Sequence, residues 1–308
     1  MQRNHQPGEI GAWASAGAEA ELRSIEDELR AELWSELLAD VTVDSRYGST
    51  HLYHRPGAGP PVVLLPGMGA PALMWRPELI EGLGPRAAYL VDTIGDVGRS
   101  VQRAPLDEPA DVAAWLDDVL SAVGAEQVDL VGASYGGWVA LNQALRSSAR
   151  LRSVTLVEPA SLADLDRRRF MVWGLACGLA AAAPDPIRRR LAVRLRQGAL
   201  VDARARRIGL LAYTKHRFHL PSPRTLTDAE LGAVTTPALV LLGERSEIHR
   251  TAHVVERLRS CLPSAEVEVV PGAGHSLPVD RAELVGRRMG TFLADLGRSG
   301  RTEVADAG

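Results

Sequence analysis

The chain has 308 residues, 46% hydrophobic and 24% charged, which fits one large domain with an insertion or two modest ones and argues against disorder. Its formal charge of −3 lacks the basic surplus on which nucleic-acid binding usually rests. Cys177 and Cys261 have no metal or redox spacing and read as two buried free thiols.

Residues 1–17 read as a flexible lead-in without the apolar core of a signal peptide. No apolar run reaches the roughly 18 residues of a membrane span. The stretch Met171–Ala183 is too short, and Pro184 ends it. A cytoplasmic protein with neither membrane nor nucleic acid as partner is expected.

From about Ala18 to Ala39, Leu22, Ile25, Leu29, Leu33 and Leu37 recur at three- and four-residue steps, with Trp34 and Leu38 beside them. That spacing predicts one helical face, expected to pack on its own domain, with a homodimer through the same face left open. Val41–Ser45 and Thr50–His54 predict a hairpin around Tyr47-Gly48. After Pro60 short apolar runs alternate with helical stretches. The runs are Val62–Leu65, Ala87–Val91, Val128–Val131, Val154–Val157, Ala238–Leu242 and Val267–Val270. The helical stretches include Asp111–Val123, Trp138–Ser147 and Thr251–Arg259. Runs this short and this rich in Val and Leu suit strands buried on both faces. The fold class is therefore α/β, with a mostly parallel central sheet flanked by helices. Between Pro159 and Pro237 no strand-like run occurs, and the sequence there predicts a helical, arginine-rich insertion over one end of the sheet.

Ligands in such a sheet sit at the carboxyl ends of the strands. Val128–Val131 leads into Gly132-Ala133-Ser134-Tyr135-Gly136-Gly137, followed by helical W-V-A-L-N-Q-A-L. This is G-x-S-x-G between a strand and a helix, where a strained turn exposes the serine hydroxyl and the glycines prevent collisions. The helix also points its N-terminal dipole at the serine. The bland alternative is a plain glycine-rich turn. A serine hydroxyl needs a base. Of the eight histidines, His275 lies in a glycine-rich loop directly after a predicted strand and follows the serine in chain order. His51, His54, His216 and His219 read as surface residues. His249 and His253 are four apart beside Glu247, a candidate metal pair on one helix face, but no third ligand is evident, so no metal is expected.

On these residues the chain resembles the α/β-hydrolase superfamily from about Val41 to Leu296. Four landmarks come in the family's order. Leu64-Leu65-Pro66-Gly67-Met68-Gly69 is similar to its oxyanion turn, with Pro66 in place of His. Asp92-Thr93-Ile94-Gly95-Asp96-Val97-Gly98-Arg99-Ser100 is similar to its D-x-x-G-x-G-x-S loop with one residue inserted or shifted. The elbow at Ser134 is third, and Val270–Ser276, holding His275, is fourth. The resemblance implies a hydrolase core at 41–159 and 237–297 and a helical cap at 160–236. An N-terminal extension with its amphipathic helix fills 1–40, and a flexible tail fills 298–308. It also implies Ser134 as nucleophile, His275 as base, and the backbone N–H groups of Met68 and Tyr135 as the oxyanion hole. The family's usual acid position, three after Gly243, is Ser246 here. Glu247 next to it, Glu158 at the end of the strand after the elbow, and Glu244 remain the candidates, as does no acid at all.

The expected reaction is hydrolysis of an ester, thioester or lactone in a mainly apolar small molecule, without a cofactor. Acyl transfer, elimination or cyclisation at the same site is the nearest alternative, since one constellation supports several reactions. A non-catalytic small-molecule receptor is another. A third is an NAD-type oxidoreductase using Gly67-x-Gly69-x-x-Ala72, with Asp92 near where a ribose-binding acid lies. Arg188, Arg189, Arg190, Arg194, Arg196, Arg204, Arg206 and Arg207 raise the prospect of an acidic or carrier-bound substrate, against the plainer reading of a solvated helix face.

Overall fold

The computed structural model describes residues 8–34 and 38–306, with side chains through Arg298. Leu37, most of the lead-in's first half and the last two residues therefore lie outside the described residues. The chain begins with a two-residue strand β1 (Ala12–Trp13) and helix α1 (Ala16–Leu33), whose N-cap Ser15 accepts the Ala18 N–H. The hairpin follows as β2 (Ala39–Ser45) and β3 (Gly48–Arg55). Next come β4 (Val62–Leu65), the short helix α2 (Pro77–Glu81), β5 (Ala88–Val91) and β6 (Val101–Gln102). Alternation then sets in with α3 (Pro109–Val123), β7 (Val128–Ala133), α4 (Tyr135–Arg146) and β8 (Leu151–Val157). The insertion holds α5 (Arg167–Ala181), α6 (Asp185–Leu195), α7 (Ala203–Lys215), β9 (His216–Arg217) and α8 (Asp228–Gly232). The core resumes with β10 (Ala238–Gly243), α9 (Thr251–Cys261), β11 (Glu266–Val270), α10 (Leu277–Asp280) and α11 (Ala282–Asp306), which runs past residue 297.

The main sheet runs β11-β10-β8-β7-β4-β5-β3-β2, with β6 paired to β3. From β11 to β5 every neighbour is parallel; β3, β2 and β6 pair antiparallel. The fully buried strands explain why the sequence shows apolar runs rather than alternation. Val63 and Leu65 of β4 join the core under α3 and α4. Val62 and Leu64 join the opposite core under α2 and α11. Each such side chain is worth about 2 kcal/mol of burial. After β5 the chain returns to lay β7 on the other side of β4, so the strand order reverses beside the elbow, where α/β sheets bind ligands.

Two expectations are corrected. The insertion does contain a strand: β9 pairs with β1, Ala12 against Arg217 and Trp13 against His216, a bridge too short to show periodicity. His51 and His219 are buried, not on the surface. His51 lies 2.9 Å from Asp40 and 3.2 Å from Asp92, while His219 lies 2.8 Å from Glu9. Polar flanks conceal such burial when ionic partners arrive from distant segments.

Helix α1 packs within its own chain. Leu22, Ile25 and Leu29 meet Ile208, Leu211 and Ala212 of α7, and Arg204 and Arg207 of α7 pair with Glu32 and Glu21 of α1. Glu26 on the same helix is fully buried, and neither carboxylate oxygen has a hydrogen-bond partner among the described residues. Burial, with repulsion from Asp92, pushes its pKa from 4.5 up to about 9. The folded chain thus binds this proton more tightly than the unfolded one. Glu26's contribution to stability is whole below about 4.5 and is lost as pH rises through about 9. Glu26→Gln is expected to flatten this loss and to raise Tm by at least ~2 °C at pH 9. Thermal melts of both proteins from pH 5 to 9 check it, and parallel curves would contradict the assignment.

Candidate active site

Ser134 stands between β7 and α4 with φ 51° and ψ −113°, a backbone conformation that L-residues rarely adopt. The turn holds because its surroundings fix it. The Ser134 N–H donates to Val157 O (3.1 Å), and its carbonyl accepts the N–H groups of Trp138 (3.2 Å) and Ala160 (2.9 Å). The flanking glycines have a steric cause. A Cβ on Gly132 would stand 2.1 Å from Gly136 O, and one on Gly136 would stand 2.2 Å from Leu65 O. Strand, helix and β4 therefore approach more closely than any side chain permits.

Three side chains from three strand ends converge here. The Ser134 hydroxyl is 3.0 Å from His275 Nε2, in the loop after β11. His275 Nδ1 is 3.2 Å from Glu158 Oε2, directly after β8. A carboxylate only accepts, so the imidazole tautomer that fits carries its proton on Nδ1 and accepts from Ser134 through Nε2. Glu158 is fully buried and itself has φ 48°, a second strained residue. Its Oε1 accepts the Gly243 N–H (2.6 Å) and its Oε2 accepts the Ser246 hydroxyl (2.6 Å). Burial alone would raise its pKa. The hydrogen bond and charge of His275, the charge of His249 and the Ser246 hydroxyl outweigh burial and hold it below the ordinary carboxylate value.

The other candidate carboxylates lie elsewhere. Glu247 is buried with Oε1 on the Arg196 guanidinium and Oε2 on the backbone N–H of His275 (2.8 Å), not on the ring. Glu244 is exposed and accepts the Gly272 N–H (2.8 Å). Ser246, at the position where the resemblance implies an acid, serves instead as a donor to Glu158. His249 and His253 share no helix face: His249 precedes α9 and is buried, 3.8 Å from Glu158 Oε1, while His253 is exposed on α9. Burial lowers the His249 pKa, and the charge of Glu158 opposes that shift. No group of three metal-ligating side chains occurs among the described residues.

The Gly67-Met68 turn after β4 lies against the elbow, where a Cβ on Gly67 would stand 3.2 Å from Ser134 Cβ. Two buried carboxylates brace this turn. Asp96 accepts the Gly69 N–H (3.0 Å), and Asp92 accepts those of Ala72 (2.7 Å) and Arg99 (3.0 Å). Burial pushes the Asp96 carboxyl up to about 7. Asp92 is fully buried and occupied by these donors and His51, so it cannot reach a ribose. That removes the structural basis of the oxidoreductase alternative.

Aromatic side chains of the insertion lie beside His275. The Trp173 ring meets the His275 ring edge-on at 6.3 Å, and Phe170 lies 5.7 Å from Trp173. The arginines of the insertion are largely engaged within the chain. Arg188 and Arg189 pair with Asp185, Arg196 with Glu247, Arg204 with Glu32 and Arg207 with Glu21, while Arg206 donates to Leu200 O (2.9 Å). Cys177 and Cys261 are free and half-buried. No helix among the described residues is long and apolar enough to cross a membrane. Sequence reasoning missed Arg196 and His249 as neighbours of the site, because nothing local marks a helix-end arginine as reaching Glu247 or a pre-helix histidine as lying beside Glu158.

The model of the alpha/beta hydrolase family matches residues 62–288. The uncharacterized carboxylesterase nap of Bacillus subtilis (strain 168) is 30% identical over 269 residues, covering 85% of this chain and 88% of that protein. Carboxylesterase YbfK of the same organism is 28% identical over 270 residues, covering 82% and 86%. The crystal structure of the naproxen esterase (carboxylesterase NP) from Bacillus subtilis superposes with a TM-score of 0.77 at 26% identity, over 91% of this chain and 99% of that one.

Proposed function

The chain belongs to the alpha/beta hydrolase family, and from that premise we propose that it hydrolyses an ester, thioester or lactone bond in a mainly apolar small molecule, through an acyl-enzyme on Ser134. The observation that carries this reading is the unbroken hydrogen-bond chain Ser134–His275–Glu158 at the sheet's carboxyl edge. Ser134 Oγ attacks the carbonyl carbon as His275 Nε2 takes its proton. Glu158 stabilises the imidazolium and holds its tautomer. The N–H groups of Met68 and Tyr135 receive the developing oxyanion, with the α4 N-terminus adding its dipole. His275 then protonates the leaving alkoxide or thiolate, and water, deprotonated by the same nitrogen, releases the acid. That two relatives are carboxylesterases favours hydrolysis over transfer or elimination.

Trp173 and Phe170 beside His275 suit an apolar acyl group. The internal pairing of most cap arginines narrows any contact with an acidic substrate group to exposed residues such as Arg190 and Arg194. A p-nitrophenyl ester series tests the reading. From acetate to hexanoate, kcat/KM is expected to rise, each buried methylene being worth at most about fourfold, or 0.8 kcal/mol. Flat rates along the series would remove the apolar pocket, and no turnover of esters, thioesters or lactones would remove the hydrolase reading.

A further inference from the structure

His275 lies in a loop, Gly272-Ala273-Gly274-His275, whose glycines give it no stiffness of its own. Its ring must nevertheless stay within hydrogen-bond distance of both Ser134 and Glu158. The segment leaving α6 supplies what the loop lacks. Arg196 donates through Nε (2.9 Å) and Nη2 (2.5 Å) to Glu247 Oε1, and Glu247 Oε2 accepts the His275 backbone N–H (2.8 Å). On either side of Arg196 the same segment is tied down again. The Ser276 hydroxyl donates to Gln197 Oε1 (2.5 Å), the Gly198 N–H donates to Asp280 Oδ1 (2.8 Å), and the Trp173 indole donates to Leu195 O (3.2 Å).

We infer that Arg196 and Glu247 form an ionic latch through which the cap positions the base: they are positioning residues for His275. The inference rests on the reaction proposed above. Two features single out this pair from the surface ion pairs of the cap. Glu247 is 2% exposed, so its carboxylate must be neutralised where it lies, and Arg196 is the cation that meets it. Arg196 also adopts φ 51°, the left-handed conformation that a helix end normally gives to glycine or asparagine. An arginine there meets a backbone cost that the side chain's ion pair offsets. The chemistry follows from position: Glu247 touches no reacting atom, but it fixes the peptide that carries the imidazole. Displacing a catalytic group by about 1 Å can cost about 100-fold in rate.

The test uses the full chain with Arg196→Gln, Arg196→Lys, Glu247→Gln and the Arg196→Gln/Glu247→Gln double variant. Each is assayed on p-nitrophenyl butyrate and for its rate of inactivation by a fluorophosphonate. Each Gln variant is expected to lose about 10- to 100-fold in kcat with KM within about threefold, and inactivation should slow in parallel. The double variant should be no worse than the poorer single, because the two residues act as one unit. Arg196→Lys keeps the charge but not the fork, so it should recover part of the loss. Gln variants with kcat within about threefold of wild type, or losses that multiply in the double variant, would overturn the latch. So would a Glu247→Gln loss equal to that of Glu158→Gln. Should Glu247→Gln fail to fold, equal kcat in the wild type and both Arg196 variants overturns it instead. A wild-type chain that neither turns over esters nor labels would overturn the hydrolase reading itself, whereas active, indifferent variants overturn the latch alone.

Discussion

Ser134→Ala is expected to lower kcat for ester hydrolysis by about 10⁵- to 10⁶-fold while the fold survives. The size follows from chemistry rather than contact loss. Without Oγ no acyl-enzyme forms, and the remaining rate comes from binding and oxyanion stabilisation of direct attack by water. His275→Ala should cost about as much, because a neutral serine hydroxyl is too weak a nucleophile to act without its base. The double variant should lose little more than either single one, since the two residues form one proton-transfer unit. Stability should change little. Alanine meets the same strain at φ 51° as serine, and among the described residues the Ser134 hydroxyl bonds only to His275. Steady-state kinetics with melting temperatures check this, and a Ser134→Ala protein within about tenfold of wild type would sink the mechanism.

The second large effect belongs to Glu158. Glu158→Gln keeps the size and an accepting oxygen but removes the charge that stabilises the imidazolium. A loss of about 10⁴-fold in kcat is expected, roughly 5.5 kcal/mol at 1.36 kcal/mol per decade. The substitution also sets an amide NH₂ against existing donors: Gly243 N–H, Ser246 hydroxyl and His275 Nδ1 all point at this carboxylate. One of them would lose its acceptor, adding to the loss. Glu247→Gln disturbs the imidazole only through the backbone, and should stay within about 100-fold. The ranking is thus the informative quantity. If Glu247→Gln fell further than Glu158→Gln, the acid would be Glu247 and the ring would have to turn from its present partner.

The sheet and the elbow were legible because their signals are local. Val62–Leu65 and Ala238–Leu242 are short apolar runs because both faces are covered, and Gly132 and Gly136 mark where backbones touch. Which carboxylate meets the His275 ring was not legible. Glu158, Glu244 and Glu247 all follow strands at the same edge of the sheet, and sequence distance does not say which carboxylate turns inward. What separates them is three-dimensional: the left-handed backbone at Glu158, and two donors, Gly243 and Ser246, contributed from 85 and 88 residues away. The arginines of the insertion show the same limit. Their spacing suggests a solvated or ligand-binding face, yet besides the local Asp185 their partners include Glu21 and Glu32 on α1 and Glu247 on the loop after β10. Buried Glu26 and His51 were hidden in polar sequence for the same reason.

The proposed reaction requires that Ser134 be a nucleophile activated by His275. Intact-mass measurement after treatment with a fluorophosphonate, followed by peptide mapping, addresses it without knowing the substrate. The wild-type chain is expected to gain one adduct, located on Ser134, while the Ser134→Ala and His275→Ala chains gain none on the same timescale. An unlabelled wild-type chain, or an adduct on any other residue, would rule out Ser134 as the activated nucleophile.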